Sequence, residues 1–556
     1  MNIKSICNDC KVEIGNTKRY LKIFWKEVVS NPRYYLPTIF CCLVAYTFSL
    51  TNRTVSIDDM AQDWYYGDIG LKIQGLRWGE LLINNLFSIE KYTPYLDRFL
   101  GLLCFLVSAT LINAILYHLD DNKKSIWKYS IFSLVFTTYP LINEMWDFYL
   151  PLFIGVEFVI VAFSILHQHI NKKYSISTII FVGVLNSIVV AGYESLVFVY
   201  IALVFVVLYE EYAYRGKKGL DWIKEGFSYA LPLFVAMILK FAIGYILIIV
   251  TNTTYLANGD SEINWLTIGF KQSLMKVLYN AYYYVLRGLS YMPITEFVIS
   301  LFVFIVLTIK YQIKHRNGSS FIALFLIISL FGLSLLQGLR LNYRSAQTIQ
   351  LFVPYVFFLV LREIDNHGIK VIFYSVLCIF LFTGFRQSVM LHQILALNNQ
   401  RSSNEAVIVQ QIGRDLYANF DCSKTVIFCG EYHIGDFIQS QISLKEGSLA
   451  YKAELAVRKL TGHDERYEVI EYVDTDVNSV LNWSKRAFFS QKMMSELFSY
   501  YGYNINTLDS IPQDWKAYLK QFEDMAEEND MGTYAIKDMG DYILVYLGPV
   551  SNNIND

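Results

Sequence analysis

Long apolar runs recur along the first 400 residues, each about the length of a membrane span and each closed by a polar break. A hydrocarbon core of ~30 Å takes ~20 residues of helix to cross. In lipid every backbone N–H and C=O is satisfied within the segment, which leaves helix as the form. The runs that read as spans are Tyr35–Leu50, Phe99–Leu119, Ile126–Ile142, Leu150–Leu166, Ser175–Val190 and Leu196–Tyr209, then Tyr229–Val250, Ile294–Ile309, Phe321–Gln337, Thr348–Leu361 and Ile369–Phe385, about eleven in all. Between the first two, Ile73, Leu76, Leu81, Leu82 and Leu86 recur at helical spacing in a polar stretch, which predicts a helix lying in the membrane interface.

After about Arg401 the pattern changes. Polar helical segments (Asn404–Phe420, Trp515–Glu528) alternate with short strand-like runs (Thr425–Cys429, Tyr542–Leu547), punctuated by Gly430, Gly435 and Gly548-Pro549. The predicted fold is therefore an all-α polytopic membrane protein with a small C-terminal α/β domain. Residues 1–34 form a basic N-terminal stretch, 35–400 the membrane domain with a long first loop at 51–97, and 401–556 the C-terminal domain.

Charge divides the same way. The 556-residue chain is 54% hydrophobic and 17% charged, which excludes a disordered chain and a nucleic-acid binder resting on general basicity. Its net charge of -2 blends two unlike parts: the last 156 residues hold 14 Lys and Arg against 24 Asp and Glu, the first 400 hold 33 against 25. The first 34 residues carry seven Lys and Arg without the apolar core of a signal peptide, so they are expected inside. Parity then places Lys123, Lys124 and Lys128, Lys172 and Lys173, Arg215 to Lys224, Lys310 to Arg316, and Arg362 and Lys370 inside as well, while the other loops are neutral or acidic. An odd count of spans puts the C-terminal domain outside.

The first outer loop is the richest in chemistry. Adjacent carboxylates repel, so one of Asp58 and Asp59 is a candidate base; equally, paired acids outside a span can simply be solvated or bind a divalent cation. Arg340 and Arg344 stand one helical turn apart in a short outer loop, at the depth of a lipid phosphate; snorkelling to head groups accounts for them as well. Arg77 is a third cation of this kind. Glu144, Trp146 and Asp147 in one outer loop and Tyr193 and Glu194 in another join acids to aromatics, a pairing that suits sugars, although Trp and Tyr populate any membrane interface. Glu157 and Lys240 fall within spans, where a mutual pair or a helix-packing contact is the plain expectation. Cys7-x-x-Cys10 lacks the second ligand pair of a zinc site, and Cys422 and Cys429 are close enough in sequence to form a disulfide.

Val55-Ser56-Ile57-Asp58-Asp59 after one span, followed by Gly75-Leu76-Arg77-Trp78-Gly79, resembles the bacterial and phage-encoded O-antigen glucosyltransferases of the Gtr (serotype-conversion) type, within the GT-C class. In that family the second pattern is Gly-Arg-Trp-Gly; here Leu76 is inserted. The resemblance implies a glycosyltransferase of the bacterial cytoplasmic membrane. Its donor would be a polyprenyl-phosphate sugar, usually glucose, its acceptor a lipid-linked or surface polysaccharide. Transfer would be a single inverting displacement at the outer face, with Asp58 or Asp59 as base. The resemblance gives no firm reason to require a metal, and a divalent cation at Asp58 and Asp59 stays open. A lipid-linked oligosaccharide flippase, resting on Glu157 and Lys240, and a polysaccharide polymerase are the competing readings.

Overall fold

A computed structural model describes residues 3–52, 54, 69–87, 94–148, 151–171, 175–219, 221–255, 263–267, 269–282, 293–338, 346–429, 452, 456, 491–508 and 534–547. They divide into two compact units, one built on the helices up to Ile394, the other on Leu395–Cys429, 491–508 and 534–547.

In the first unit each apolar run becomes helix. Among the described residues eight helices are long and apolar enough to cross a membrane: Pro32–Thr51, Tyr95–Leu119, Pro151–Ile170, Leu196–Tyr214, Asp221–Thr251, Thr295–His315, Gln347–His367 and Lys370–Asn419. Ile176–Val190 and Ser319–Ser329 are shorter apolar helices. Two of the expected runs are not single helices. Ile126–Ile142 forms helix Trp127–Thr138, after which Tyr139 is extended before the next helix begins at Ile142. Phe321–Gln337 breaks at Leu330-Phe331 into Ser319–Ser329 and Gly332–Gln337.

Helices Trp127–Thr138 and Gln347–His367 are buried along almost their whole length and form the axis of the unit. Asp221–Thr251 is peripheral: Phe234, Ile246, Ile249 and Val250 remain exposed, an apolar surface that fits lipid rather than water. The basic loops meet at one end of the unit. Arg215 donates to the His118 carbonyl at 2.8 Å and to Asp121 at 3.0 Å, Asn317 donates to the Lys217 carbonyl at 2.9 Å, and Lys128 lies 2.5 Å from Asp120 and 3.9 Å from Asp365. At the opposite end, among the described residues, the Gly79 N–H donates to the Ala191 carbonyl at 3.0 Å and Ser195 Oγ to Gln347 Oε1 at 3.1 Å.

The second unit holds a four-stranded sheet of β1 (Thr425–Cys429), β2 (Asn506–Thr507), β3 (Ala535–Asp538) and β4 (Tyr542–Tyr546) in the order β2-β1-β4-β3. β1 runs parallel to β2 and β4, with Thr425 opposite Tyr542 and Cys429 opposite Tyr546; β3 and β4 are antiparallel. Alternate residues Val426, Phe428, Ile543 and Val545 turn to one face, where they pack with Val409, Ile412 and Leu416 and with Met494, Leu497 and Phe498 of helix Gln491–Tyr500. The segment Asn404–Phe420, expected as a separate helix, is the end of the continuous helix Lys370–Asn419. No Gly or Pro stands between Phe385 and Asn404 to break it. Cys422 is a free thiol, not a disulfide partner. A strand rising ~3.3 Å per residue carries Cys429 roughly 13 Å along β1 from its start, beyond the reach of a disulfide. The segment Trp515–Glu528 lies outside the described residues.

Candidate active site

Of the residues singled out by sequence, Asp58, Asp59, Arg340 and Arg344 lie outside the described residues. So do the side chains of Glu144 and Asp147, although their backbone belongs to helix Ile142–Phe148. Arg77, Tyr193 and Glu194 are described, and the fold brings them to one place.

The stretch expected as one interfacial helix is two, Ile69–Gln74 and Trp78–Leu86, joined through Gly75-Leu76-Arg77. Leu76 takes a left-handed conformation, φ 56°, uncommon for a non-glycine residue. Its side chain is buried against Gly244 of helix Asp221–Thr251, which has no Cβ to obstruct it. Packing, not local preference, therefore holds the break. Ile73, Trp78 and Ile83 are buried as well, whereas Leu82 and Leu86 stay exposed, so only part of the expected apolar stripe packs into the protein.

Two bonds fix the segment after the break. The Trp78 indole N–H donates to the Lys240 carbonyl at 3.2 Å, and the Gly79 N–H donates to the Ala191 carbonyl at 3.0 Å. At Gly79 any side chain would overlap the Ile188 carbonyl. The motif is thereby clamped to the turn Ala191–Ser195, which links helices Ile176–Val190 and Leu196–Tyr209.

Charge gathers around this clamp. Lys72 pairs with Glu80 at 2.6 Å, both largely buried. Lys240 pairs with Glu194, the ammonium 7% exposed and the carboxylate 60%. Glu157, 0% exposed, accepts the Tyr193 N–H at 3.1 Å through Oε1, and its Oε2 is buried without a hydrogen-bond partner. Gly192 lies against the same carboxylate, which fills the space a Cβ would need. Among the described residues, Glu80 and Arg77 are charges that act on Glu157. The expected pairing of Glu157 with Lys240 is thus replaced: the lysine takes Glu194, and Glu157 takes a backbone N–H. Hydropathy marks both residues as buried charges, but their partners lie in a turn whose position only the tertiary fold sets.

The cluster continues to Trp146. Ser195 Oγ donates to Gln347 Oε1 at 3.1 Å, and Gln347 Nε2 lies 3.9 Å from the Met145 sulfur. Trp146 is 1% exposed, its ring centroid 4.4 Å from that of Tyr46 and its N–H given to Ser49 Oγ at 3.2 Å. In this conformation it forms a wall of the site and presents no open face. Arg98 donates to the Ser49 carbonyl at 2.6 Å, and Asp97 accepts the Leu152 N–H at 3.2 Å.

Sequence reading missed Lys72, Glu80, Asp97 and Arg98. For the first two a signal existed: opposite charges eight positions apart, flanking the Arg-Trp-Gly run. The arrangement sets the partly exposed Arg77 and the exposed Glu194 in front of the buried Lys72, Lys240 and Glu157. Among the described residues no three His, Cys, Asp or Glu side chains converge as metal ligands.

A family model described as Glucosyl transferase GtrII matches residues 47–362, more than half of the chain and every charged residue of this cluster. No curated protein and no solved structure matches the chain.

Proposed function

Because the chain belongs to the Glucosyl transferase GtrII family, and so is a glycosyltransferase with a sugar donor and an acceptor, we propose that it transfers a hexose, glucose, from a polyprenyl-phosphate carrier to a surface polysaccharide such as O-antigen. We place the reaction at the outer face of the bacterial cytoplasmic membrane, with the basic loops inside and the C-terminal domain outside. The observation that carries this reading is the clamp of Arg77-Trp78-Gly79 onto the Ala191–Ser195 turn, which gathers charged side chains directly after the acidic loop in sequence.

In the proposed step an acceptor hydroxyl oxygen attacks the anomeric carbon, and the bond from that carbon to the phosphate oxygen breaks on the opposite side. Configuration inverts, and lipid phosphate leaves with the electron pair. The hydroxyl proton passes to Asp58 or Asp59. Arg77, with Arg340 and Arg344, holds the departing phosphate, a task to which the guanidinium fork is suited. Glu144, Asp147, Tyr193 and Glu194 bind the sugar or acceptor, with Trp146 supporting them. A divalent cation at the acidic pair is compatible with this scheme, though no step needs one.

The test is transfer by the purified full chain from undecaprenyl-phosphate glucose to a lipid-linked acceptor. The wild type is expected to transfer. Asp58→Asn or Asp59→Asn should lose at least ~100-fold, the usual worth of a positioned base, with unchanged melting. Full activity in both single variants would remove the pair from the mechanism. Activity without the monosaccharide donor would point to a polymerase.

A further inference from the structure

At the end of the first unit that carries the basic loops, a cavity of about 400 Å³ opens between three segments distant in sequence. They are the start of helix Pro32–Thr51, the stretch leading into Trp127–Thr138, and the turn between Gln347–His367 and Lys370–Asn419. Each contributes one cation: Arg33, Lys124 and Lys370.

These three differ from the cations around them. Lys128 is wholly buried and lies 2.5 Å from Asp120, Arg362 pairs with Glu210, and Arg215 reaches Asp121 at 3.0 Å. Among the described residues no ion pair engages the side chains of Arg33, Lys124 or Lys370. Asp365, the acid among the lining residues, has Oδ2 3.9 Å from Lys128, which itself lies 2.5 Å from Asp120, so three lining cations stand against one lining acid. The lining is left with a surplus of two positive charges.

The walls add a second property. Trp127 and Tyr374 line the cavity, and these are the aromatic types that settle at the headgroup level of a bilayer. Along the first turns of helix Lys370–Asn419, Val371, Ile372 and Tyr374 are exposed, an apolar track leading away from the cations. Pockets of ~300–1,000 Å³ are the size that encloses a small ligand, and basic pockets between membrane helices are where anionic head groups bind.

We infer that this cavity binds a phosphate-bearing anion, and that its occupant is the headgroup of an anionic phospholipid whose acyl chains lie along the exposed track. The site is at the opposite end of the unit from the Arg77–Gly79 clamp, and it stands whether or not the transfer scheme does.

The test uses the full chain in detergent and three probes: dihexanoyl phosphatidylglycerol, dihexanoyl phosphatidylcholine and sn-glycerol 3-phosphate, with binding followed by thermophoresis. Phosphatidylglycerol is expected to bind saturably and at least tenfold more tightly than phosphatidylcholine. Lys124→Gln combined with Lys370→Gln should weaken it at least tenfold, whereas the double Lys→Arg variant retains it and melts like the wild type. If the glutamine pair fails to fold, Arg33→Gln alone should weaken binding in the same direction. Glycerol phosphate binding as tightly as the lipid would uphold the phosphate site and assign it to a soluble ligand. Equal affinity for the two lipids, or glutamine variants that bind like the wild type, would overturn the inference.

Discussion

The two ends of the helical unit differ in how they treat a wholly buried charge. At the basic end the wholly buried charges meet opposite charges: Arg362 with Glu210, which also accepts the Tyr355 hydroxyl at 2.7 Å, and Lys128 with Asp120, which accepts the Tyr129 hydroxyl at 2.8 Å. The Arg362 guanidinium also stacks 3.6 Å from the Tyr214 ring centroid. At the clamp end Glu157 is equally buried, yet it accepts one backbone N–H and keeps an oxygen without a partner. A buried charge costs several kcal/mol unless it is paired or does some other work. The contrast is one of counter-charge: Arg362 and Lys128 each meet a carboxylate, although Arg362 Nε and Nη2 make no hydrogen bond, whereas among the described residues no cation pairs with Glu157.

The strongest way to break this comparison is at the basic end. Arg362→Met leaves Glu210 buried without its counter-charge and should destabilise by about 3–5 kcal/mol, read as a lowered melting temperature in detergent. Adding Glu210→Leu should restore most of the loss, since removing both charges avoids the uncompensated one. If Arg362→Met melts like the wild type, the pairing does not hold this end together.

At the clamp, Gly79→Ala puts a methyl group where the Ile188 carbonyl is. Overpacking of this kind costs about 1–3 kcal/mol, and sugar transfer should fall further than melting does, because the displaced segment carries Arg77. Equal losses in the two measurements would make Gly79 a matter of packing alone. Glu157→Gln keeps the acceptor for the Tyr193 N–H and removes the charge. Melting should hardly move, while transfer falls at least tenfold, about 1.4 kcal/mol of barrier. An unchanged transfer rate would show that the reaction does not use this charge.

The smallest effect belongs to exposed charge in the second unit. Lys424 beside Asp538, 2.7 Å away, holds that carboxyl below its ordinary value of 3.8, and hydrogen bonds from Ser423 hold Asp421 low as well. A carboxyl whose pKa is depressed by folding adds stability above its unfolded value and loses it as pH falls through the folded one. The unit should therefore weaken slightly as pH drops below about 3.8, and Asp538→Asn should flatten that part of an acid titration followed by circular dichroism. A titration unaltered in the variant would show that the pair contributes nothing, the common result for exposed ion pairs.

Much of this was legible in the sequence where a signal is local. The apolar run Thr425–Cys429 is a strand with those bounds, and among the described residues the apolar runs of span length lie on helix apart from the breaks after Thr138 and at Leu330-Phe331. Signals set by distant packing were not legible. The break at Leu76 depends on Gly244, far along the chain, so the periodicity of Ile73, Leu76 and Leu81 reads as one helix. The division of Phe321–Gln337 at Leu330-Phe331 is flanked only by Ser329 and Gly332, both of which membrane helices also carry without a break. For the site, the sequence identified Arg77, Tyr193 and Glu194 separately, but not that Gly79 joins them through Ala191. Partner choice for Lys240 was settled by which turn lay within reach of its ammonium.

Glu210 and Arg362 stand 152 positions apart. Synthesis at ~5–20 residues per second leaves roughly 8–30 s in which the carboxylate has entered the membrane region and its counter-charge does not yet exist. The helix bearing Glu210 therefore cannot settle among its neighbours until the one bearing Arg362 arrives. Assembly of this body is to that extent delayed but still within translation, since 194 residues follow Arg362. A chain cut short before Arg362 would carry a standing defect for quality-control proteases to recognise.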